Sequence, residues 1–267
     1  MKKISHGKIT YRIKNFVENI PVSNFMLSVC HCLSPFMGRL LRYKYIYNYE
    51  YLRILDFYKI NLIHNSKVED LLDLSYLQSL LDQLITYQFN VTEPYKNYKG
   101  FMVQYPLEFA QYLLTISKFN IQRYLEIGTF WGGSFITTFE YLTKTNPCSR
   151  YAFAIDRSYY LSMQLYSKIR KNVYYMIMDS KSPQFQSFIE NMPPFDLVFI
   201  DGDHSYSGCK NDFDSVKDHA KLIAFHDILA VKDIKRLWDE IKHDYKYYEF
   251  IDNNRKRKYG IGLLEKI

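Results

Sequence analysis

The chain has 267 residues, 48% of them hydrophobic, with a formal net charge of +7. That length fits one large domain or one domain with an extension, and that hydrophobic content supports a real core, which excludes a disordered or collagen-like chain. Four scattered cysteines, Cys30, Cys32, Cys148 and Cys209, exclude a disulfide scaffold and point to a reducing compartment.

The charge is concentrated at one end. Residues 1–60 hold ten Lys/Arg against three Asp/Glu, so this arm carries the whole +7 and the remainder balances. Cys30-His31-Cys32 lacks a second ligand pair at zinc spacing, which argues against metal there. Asn19–Gly38 is uncharged, but Pro21, Asn24, His31, Ser34 and Pro35 interrupt it, and no small-residue cleavage site follows, so a signal peptide or membrane span is disfavoured. The readings left for the arm are helices that pack on the main domain or on a second subunit, making a homo-oligomer, or a basic surface that meets anionic lipid. Arg42-Tyr-Lys-Tyr45 has the composition of a nucleic-acid contact, but no recognition motif accompanies it, and nucleic acid is not expected.

Val68–Ile85 repeats apolar residues at helical spacing and predicts a helix. Thr92–Gly100 is turn-rich and sets the expected boundary between a helical extension, 1–100, and a catalytic domain, 101–267. Pro106 suits the first turn of a helix running to about Lys118. From Ile121 strands and helices alternate. Strands are predicted near 122–127, 151–155, 173–178, 196–200 and 221–226, then an antiparallel pair near 246–251 and 260–265. The pattern predicts an α/β, doubly wound Rossmann-like sheet, mostly parallel with an antiparallel last strand.

Three clusters of polar residues follow apolar strands. The first is Tyr124-Leu-Glu-Ile-Gly-Thr-Phe-Trp-Gly-Gly-Ser134, an acid, a glycine turn and a helix start. Its Gly-x-x-x-Gly-Gly spacing differs from the dinucleotide fingerprint. The second strand ends in Asp156, where an acid can take both hydroxyls of a ribose. The fourth ends in Phe195-Asp-Leu-Val-Phe-Ile-Asp-Gly-Asp-His204 and the fifth in Ile223-Ala-Phe-His-Asp227. In an open parallel sheet these ends meet at one edge. Asp201, His226 and Asp227 could there hold a hard divalent ion with positions left open. The competing reading is that the histidines merely cap helices.

Leu125–Ser134 resembles the cofactor loop of class I S-adenosylmethionine-dependent methyltransferases, nearest to the metal-dependent catechol O-methyltransferase-like branch. Phe199–Gly208 together with Ala224–Ile228 resembles the cephalosporin hydroxylase-like and macrocin O-methyltransferase-like enzymes of small molecules and sugars. The resemblance spans about Gln104 to Ile267. It implies that Glu126, Gly128, Thr129 and Gly132 cradle the methionine end of S-adenosyl-L-methionine and that Ser134 meets its carboxylate. Asp156 would hold the ribose, with Asp179 and Ser180 beside the adenine. Asp201, His226 and Asp227 would bind a divalent metal, Mg²⁺ first. His204 would be the general base, with Asp201 also catalytic. The implied reaction is methyl transfer to a hydroxyl of a sugar, glycan or small metabolite, in the cytoplasm or at the inner face of a membrane. Two departures stand out. Lys217–Leu222 lacks the Pro-Gly-Gly turn usual before the fifth strand, and His226 replaces a more usual carboxylate. An NAD-linked oxidoreductase and a catalytically silent cofactor-binding scaffold are the alternatives.

Overall fold

The computed structural model describes residues 60–89, 102–146, 148 and 150–266. The basic arm and the expected boundary at 92–100 lie outside the described residues, as do the lipid, oligomer and nucleic-acid readings attached to the arm.

The described residues open with three helices, α1 (Ile60–Asn65), α2 (Val68–Leu71) and α3 (Leu74–Phe89). The apolar repeat that predicts one helix over 68–85 is therefore split. The cause is local: the Asp73 carboxylate accepts from the Tyr76 backbone N–H at 2.8 Å and caps a new helix. Helix α4 (Pro106–Ile116) starts on its proline as expected, because Pro needs no N–H partner in a first turn. Strands and helices then alternate: β1 (Arg123–Ile127), α5 (Gly133–Thr145), β2 (Tyr151–Asp156), α6 (Leu161–Ile169), β3 (Val173–Ile177), α7 (Pro183–Asn191), β4 (Phe195–Ile200), α8 (Tyr206–Val216) and β5 (Ala220–His226). Helix α9 (Lys232–Ile241) precedes a closing hairpin, β6 (Lys246–Phe250) and β7 (Ile261–Glu265).

The sheet order is β3-β2-β1-β4-β5-β7-β6. Strands β1 to β5 pair in parallel, and β7 runs antiparallel to both β5 and β6. Side chains alternate across the pleat and fill two cores. Leu197 and Phe199 join Phe109, Phe135 and Tyr166 on one face, with Ile60, Leu71 and Leu77 from the entry helices in the same core. Val198 and Ile200 join Phe185, Phe213 and Trp238 on the other. Both faces of β4 are covered, which is why Phe195–Ile200 is buried throughout. The order reverses between β1 and β4, so the crevice at a topological switch point opens at the carboxyl ends of β1 and β4. Among the described residues no helix is long and apolar enough to cross a membrane.

Candidate active site

A cavity of about 570 Å³ opens at that edge. Its lining includes Gly128 after β1, Asp156 at the end of β2, Asp179 and Ser180 after β3, Asp201 and His204 after β4, and His226 and Asp227 at the end of β5. Those sequence-predicted residues thus share one space. Glu126, Thr129, Gly132 and Ser134 lie beneath it and do not line it.

The difference comes from how the glycine loop folds. Gly128 has φ +85°, and a Cβ there would sit 2.3 Å from the Asp201 carbonyl oxygen. Glycine is needed so that the loops after β1 and β4 can touch. Gly132 has φ +94°, and Met163 Sδ occupies the position a Cβ would take, at 2.1 Å. Its role is to pack the loop against α6. Glu126 is wholly buried; Ser134 Oγ donates to its Oε1 at 2.7 Å and the Tyr124 hydroxyl donates to its Oε2. Burial pushes the Glu126 carboxyl up to about 8, against those two donated bonds. Asp156 is held at the rim by the backbone N–H groups of Phe130 and Ser158, each at 2.8 Å. Phe130 is half-exposed and makes an edge contact with Tyr160, ring centroids 5.2 Å apart, so an aromatic wall stands beside Asp156.

At the other end two imidazoles flank a carboxylate pair. His204 Nε2 lies 3.3 Å from Asp201 Oδ1 and 3.5 Å from Asp227 Oδ2. His226 Nδ1 lies 3.3 Å and 3.6 Å from the same two oxygens. The His204 side chain is 46% exposed and that of His226 only 3%. Burial alone would lower the His226 pKa, but Asp201, Asp227 and Glu108 reverse the sign and raise it to about 9. The His204 pKa is raised by its bond to Asp201, burial opposing. Burial would raise Asp201, yet the two imidazoles hold it below its ordinary value. Asp227 stays raised because burial outweighs them. Asp227 also has φ +61°, a left-handed backbone that an Asp tolerates and that few other residues adopt. The turn directs its carboxylate back toward Asp201.

Some members of the site gave no sequence signal. Gln104, buried just before α4, donates from Nε2 to Asp201 Oδ2 at 3.3 Å. The Tyr259 ring stacks on His226, centroids 5.9 Å apart. Lys181 pairs with Asp203 at 2.6 Å, and both line the cavity. Each arrives through tertiary structure, from a segment with no motif of its own.

The donor set bears on a metal. Asp201, His204 and Asp227 present ligand atoms within 4.8 Å of one another, and His226 Nδ1 approaches the same two carboxylate oxygens at 3.3 and 3.6 Å. Asp227 Oδ1, Gln104 Oε1 and His226 Nε2 are buried with no hydrogen-bond partner among the described residues. Two carboxylates and imidazole nitrogen suit a hard or borderline divalent cation.

Residues 125–228 match a family described as "Methyltransferase domain". That segment holds the glycine loop, Asp156 and the strand-end acids on which the resemblance to class I S-adenosylmethionine-dependent methyltransferases rests. The fold of the chain is similar to that of an O-methyltransferase from Bacillus cereus solved in complex with S-adenosylhomocysteine, at 16% identity and a TM-score of 0.51, over 73% of this chain and all of that one. A second similar structure is the O-methyltransferase TomG from Streptomyces achromogenes, involved in tomaymycin synthesis, at 17% identity and a TM-score of 0.48, over 62% of this chain and 82% of that one. A comparison with curated protein sequences finds no match. The methyltransferase segment runs from β1 to just past β5 and so contains the glycine loop, Asp156 and the carboxylate pair.

Proposed function

We propose that this protein is an S-adenosylmethionine-dependent methyltransferase that acts on a hydroxyl oxygen, in a sugar, glycan or small metabolite, with help from a divalent cation. The observation that carries the reading is the Asp201–Asp227 pair with two imidazole nitrogens within 3.6 Å of its oxygens, sharing one cavity with Asp156. Transfer to oxygen needs a group that takes a proton and a field that favours the oxyanion. Transfer to a softer or already nucleophilic atom needs neither.

S-adenosylmethionine supplies an electrophilic methyl group on a positively charged sulfur. Asp156 is suited to its ribose hydroxyls, because its two backbone bonds leave further lone pairs free. Asp179 and Ser180 would flank the adenine, and Phe130 and Tyr160 would exclude water from that end. Glu126 and Ser134 set the loop from below instead of meeting the cofactor's carboxylate through the Ser134 hydroxyl, which is already committed to Glu126.

A divalent cation held by Asp201, Asp227 and His226 would lower the pKa of an acceptor hydroxyl. Exposure separates the two histidines. His226 is locked in place at 3% exposure, as a ligand should be, whereas His204 reaches solvent; its Nε2 donates to Asp201, so Nδ1 is the nitrogen that would take a proton. His204 is therefore assigned as the general base, and Asp201 orients its ring. Loss of the proton from either imidazole accompanies loading of the site, since both carry raised pKa values while they face bare carboxylates.

An NAD-linked oxidation on a related sheet is the weaker reading, because hydride transfer leaves the carboxylate pair without a task. The test is mass-spectrometric detection of methylated products from a panel of sugars and phenols, with and without chelator. Methylated oxygen that disappears with chelator and returns with Mg²⁺ or Mn²⁺ is expected. Products methylated on nitrogen or carbon, or activity indifferent to chelator, would remove the oxygen or the metal half respectively.

A further inference from the structure

The hairpin between β6 and β7 carries Arg255-Lys256-Arg257-Lys258, four consecutive cations, all exposed. Read alone, such a run is a solvated turn. Its setting is different. The root of the hairpin is pinned from inside the protein: Glu108, fully buried on α4, accepts from the Asp252 N–H at 2.9 Å and the Gly260 N–H at 3.1 Å. The Tyr259 carbonyl accepts from Leu229 N–H at 2.9 Å, so the loop is also tied to the turn that follows Asp227. The basic run is thus fastened beside the carboxylate pair.

Its arginines are stacked on an aromatic platform. Arg257 lies over the Tyr259 ring at 4.9 Å and Arg255 over the Tyr105 ring at 5.0 Å. The two rings are 4.8 Å apart, and the Tyr259 ring in turn stacks on His226. Stacking by the face leaves a guanidinium's N–H edge free and pre-oriented. Arg255 spends part of its charge on Asp252 at 3.3 Å. Among the described residues Arg257 has no acidic partner at ion-pair distance, yet it lies within electrostatic reach of Asp227.

The cavity lining carries five acids, Asp156, Asp179, Asp201, Asp203 and Asp227, against two cations, Arg157 and Lys181, the latter already paired with Asp203. Such a wall favours a sulfonium cofactor and repels an anionic acceptor. The hairpin cations stand outside that lining, joined to it through Tyr259 and His226, and reverse the sign beside it. We propose that Arg257, supported by Arg255, recognises a phosphate or carboxylate on the methyl acceptor, so that the enzyme selects anionic hydroxyl compounds over neutral ones. The proposal rests on the hydroxyl-methylation reading above and names the acceptor class of that same site. The planar fork pairs with two oxygens of such a group and places the neighbouring hydroxyl toward the Asp201–Asp227 end.

The test uses the full chain saturated with S-adenosylhomocysteine and three sugars: glucose phosphate, glucuronate and glucose. Isothermal titration is expected to show at least one charged sugar binding about 10-fold or more tighter than glucose, as a charge-assisted bond predicts. The charged arm that binds names the phosphate or the carboxylate. Arg257→Ala should bring that affinity down to the glucose level, and Lys256→Ala should change it by less than about 3-fold. The preference should also shrink as salt rises from about 0.05 to about 0.2 M. Equal binding of all three sugars, or a preference that Arg257→Ala leaves intact, overturns the proposal. So does tight binding of a short RNA oligonucleotide by a protein that ignores both charged sugars. Failure of S-adenosylhomocysteine to bind would count against the methyl-transfer reading alone, since the sugar arms can be repeated without it.

Discussion

The two ends of the cavity are built in different ways. At the end made by β1, β2 and β3, the geometry is a property of backbone. Gly128 N–H donates to the Ile155 carbonyl at 2.8 Å, Phe130 N–H donates to Asp156 at 2.8 Å, and the Gly132 N–H closes onto Thr129 O at 2.8 Å. At the end made by β4, β5 and the β6–β7 hairpin, the geometry is a property of side chains. Gln104, Asp201, His204, His226, Asp227 and Tyr259 come from four separate stretches of chain and meet through hydrogen bonds and ring contacts. A backbone-built end fails as a whole when one residue is wrong. A side-chain-built end can lose one function and keep another. A cofactor common to a whole class of enzymes would suit the first kind of construction, and a variable acceptor the second.

The largest effect should come from Gly128→Ala. The single added carbon would lie 2.3 Å from the Asp201 carbonyl oxygen and 2.4 Å from Gly202 Cα, on a backbone at φ +85°. Backbone cannot yield as a flexible side chain can, so the loops after β1 and β4 must part. Loss of stability of about 3 kcal/mol or more is expected, with S-adenosylhomocysteine binding lost by calorimetry and the denaturation midpoint lowered. A variant that keeps both would show that the two ends are not coupled through this contact. Gly132→Ala is a milder companion: its Cβ meets Met163, the end of a side chain that can move.

A smaller and divided effect is expected at the other end. His204→Ala should lower turnover by about 10²–10⁴-fold, the usual contribution of a general base, and leave cation affinity within a few-fold of wild type. His226→Ala should do the reverse to the cation, weakening it severely, because a buried nitrogen that faces both carboxylate oxygens is removed. Turnover by His204→Ala should recover in part at higher pH, where the acceptor hydroxyl ionises with less help. Cation titrations of both variants decide the matter. If His204→Ala loses the cation and His226→Ala keeps it, the ligand set is Asp201, His204 and Asp227, and the base lies elsewhere.

The same contrast explains what could be read from sequence. Every strand from β1 to β7 is anticipated within about two residues, since burial on two faces leaves continuous apolar runs that end in polar residues. Asp156, Asp201 and Asp227 were legible because an acid at a strand end has few structural reasons to be there. Glu126 satisfied the same rule and behaves otherwise. Its strand position turns it into the core, toward Tyr124 and Ser134, a matter of pleat direction that the motif alone does not reveal. Gln104 and Tyr259 carry no pattern at all; they become site residues only when α4 and the hairpin pack against β5. The break at Asp73 was hidden for a related reason, as an apolar repeat can continue across a capping turn.

The last test bears on the backbone-built end alone and leaves the cavity lining untouched: it concerns Glu126. Its carboxyl is raised from 4.5 to about 8 by burial, so the native protein holds a proton there that the unfolded chain releases above pH 4.5. The native state then binds more protons than the unfolded state between 4.5 and about 8. Stability must therefore fall as pH rises through that window and level off above it. The slope is bounded by about 1.4 kcal/mol per unit for a single group. Glu126→Gln keeps the shape and can accept one hydroxyl proton while donating to the other oxygen, but it does not titrate. The variant is expected to match wild type within about 1 kcal/mol at low pH and to exceed it near pH 8, as read by urea denaturation at both values. Parallel curves for the two proteins would mean that Glu126 is ionised in the fold. Its two hydroxyl donors would then be stabilising a buried charge, and the loop above it would rest on an anion whose field reaches Asp201 and His226.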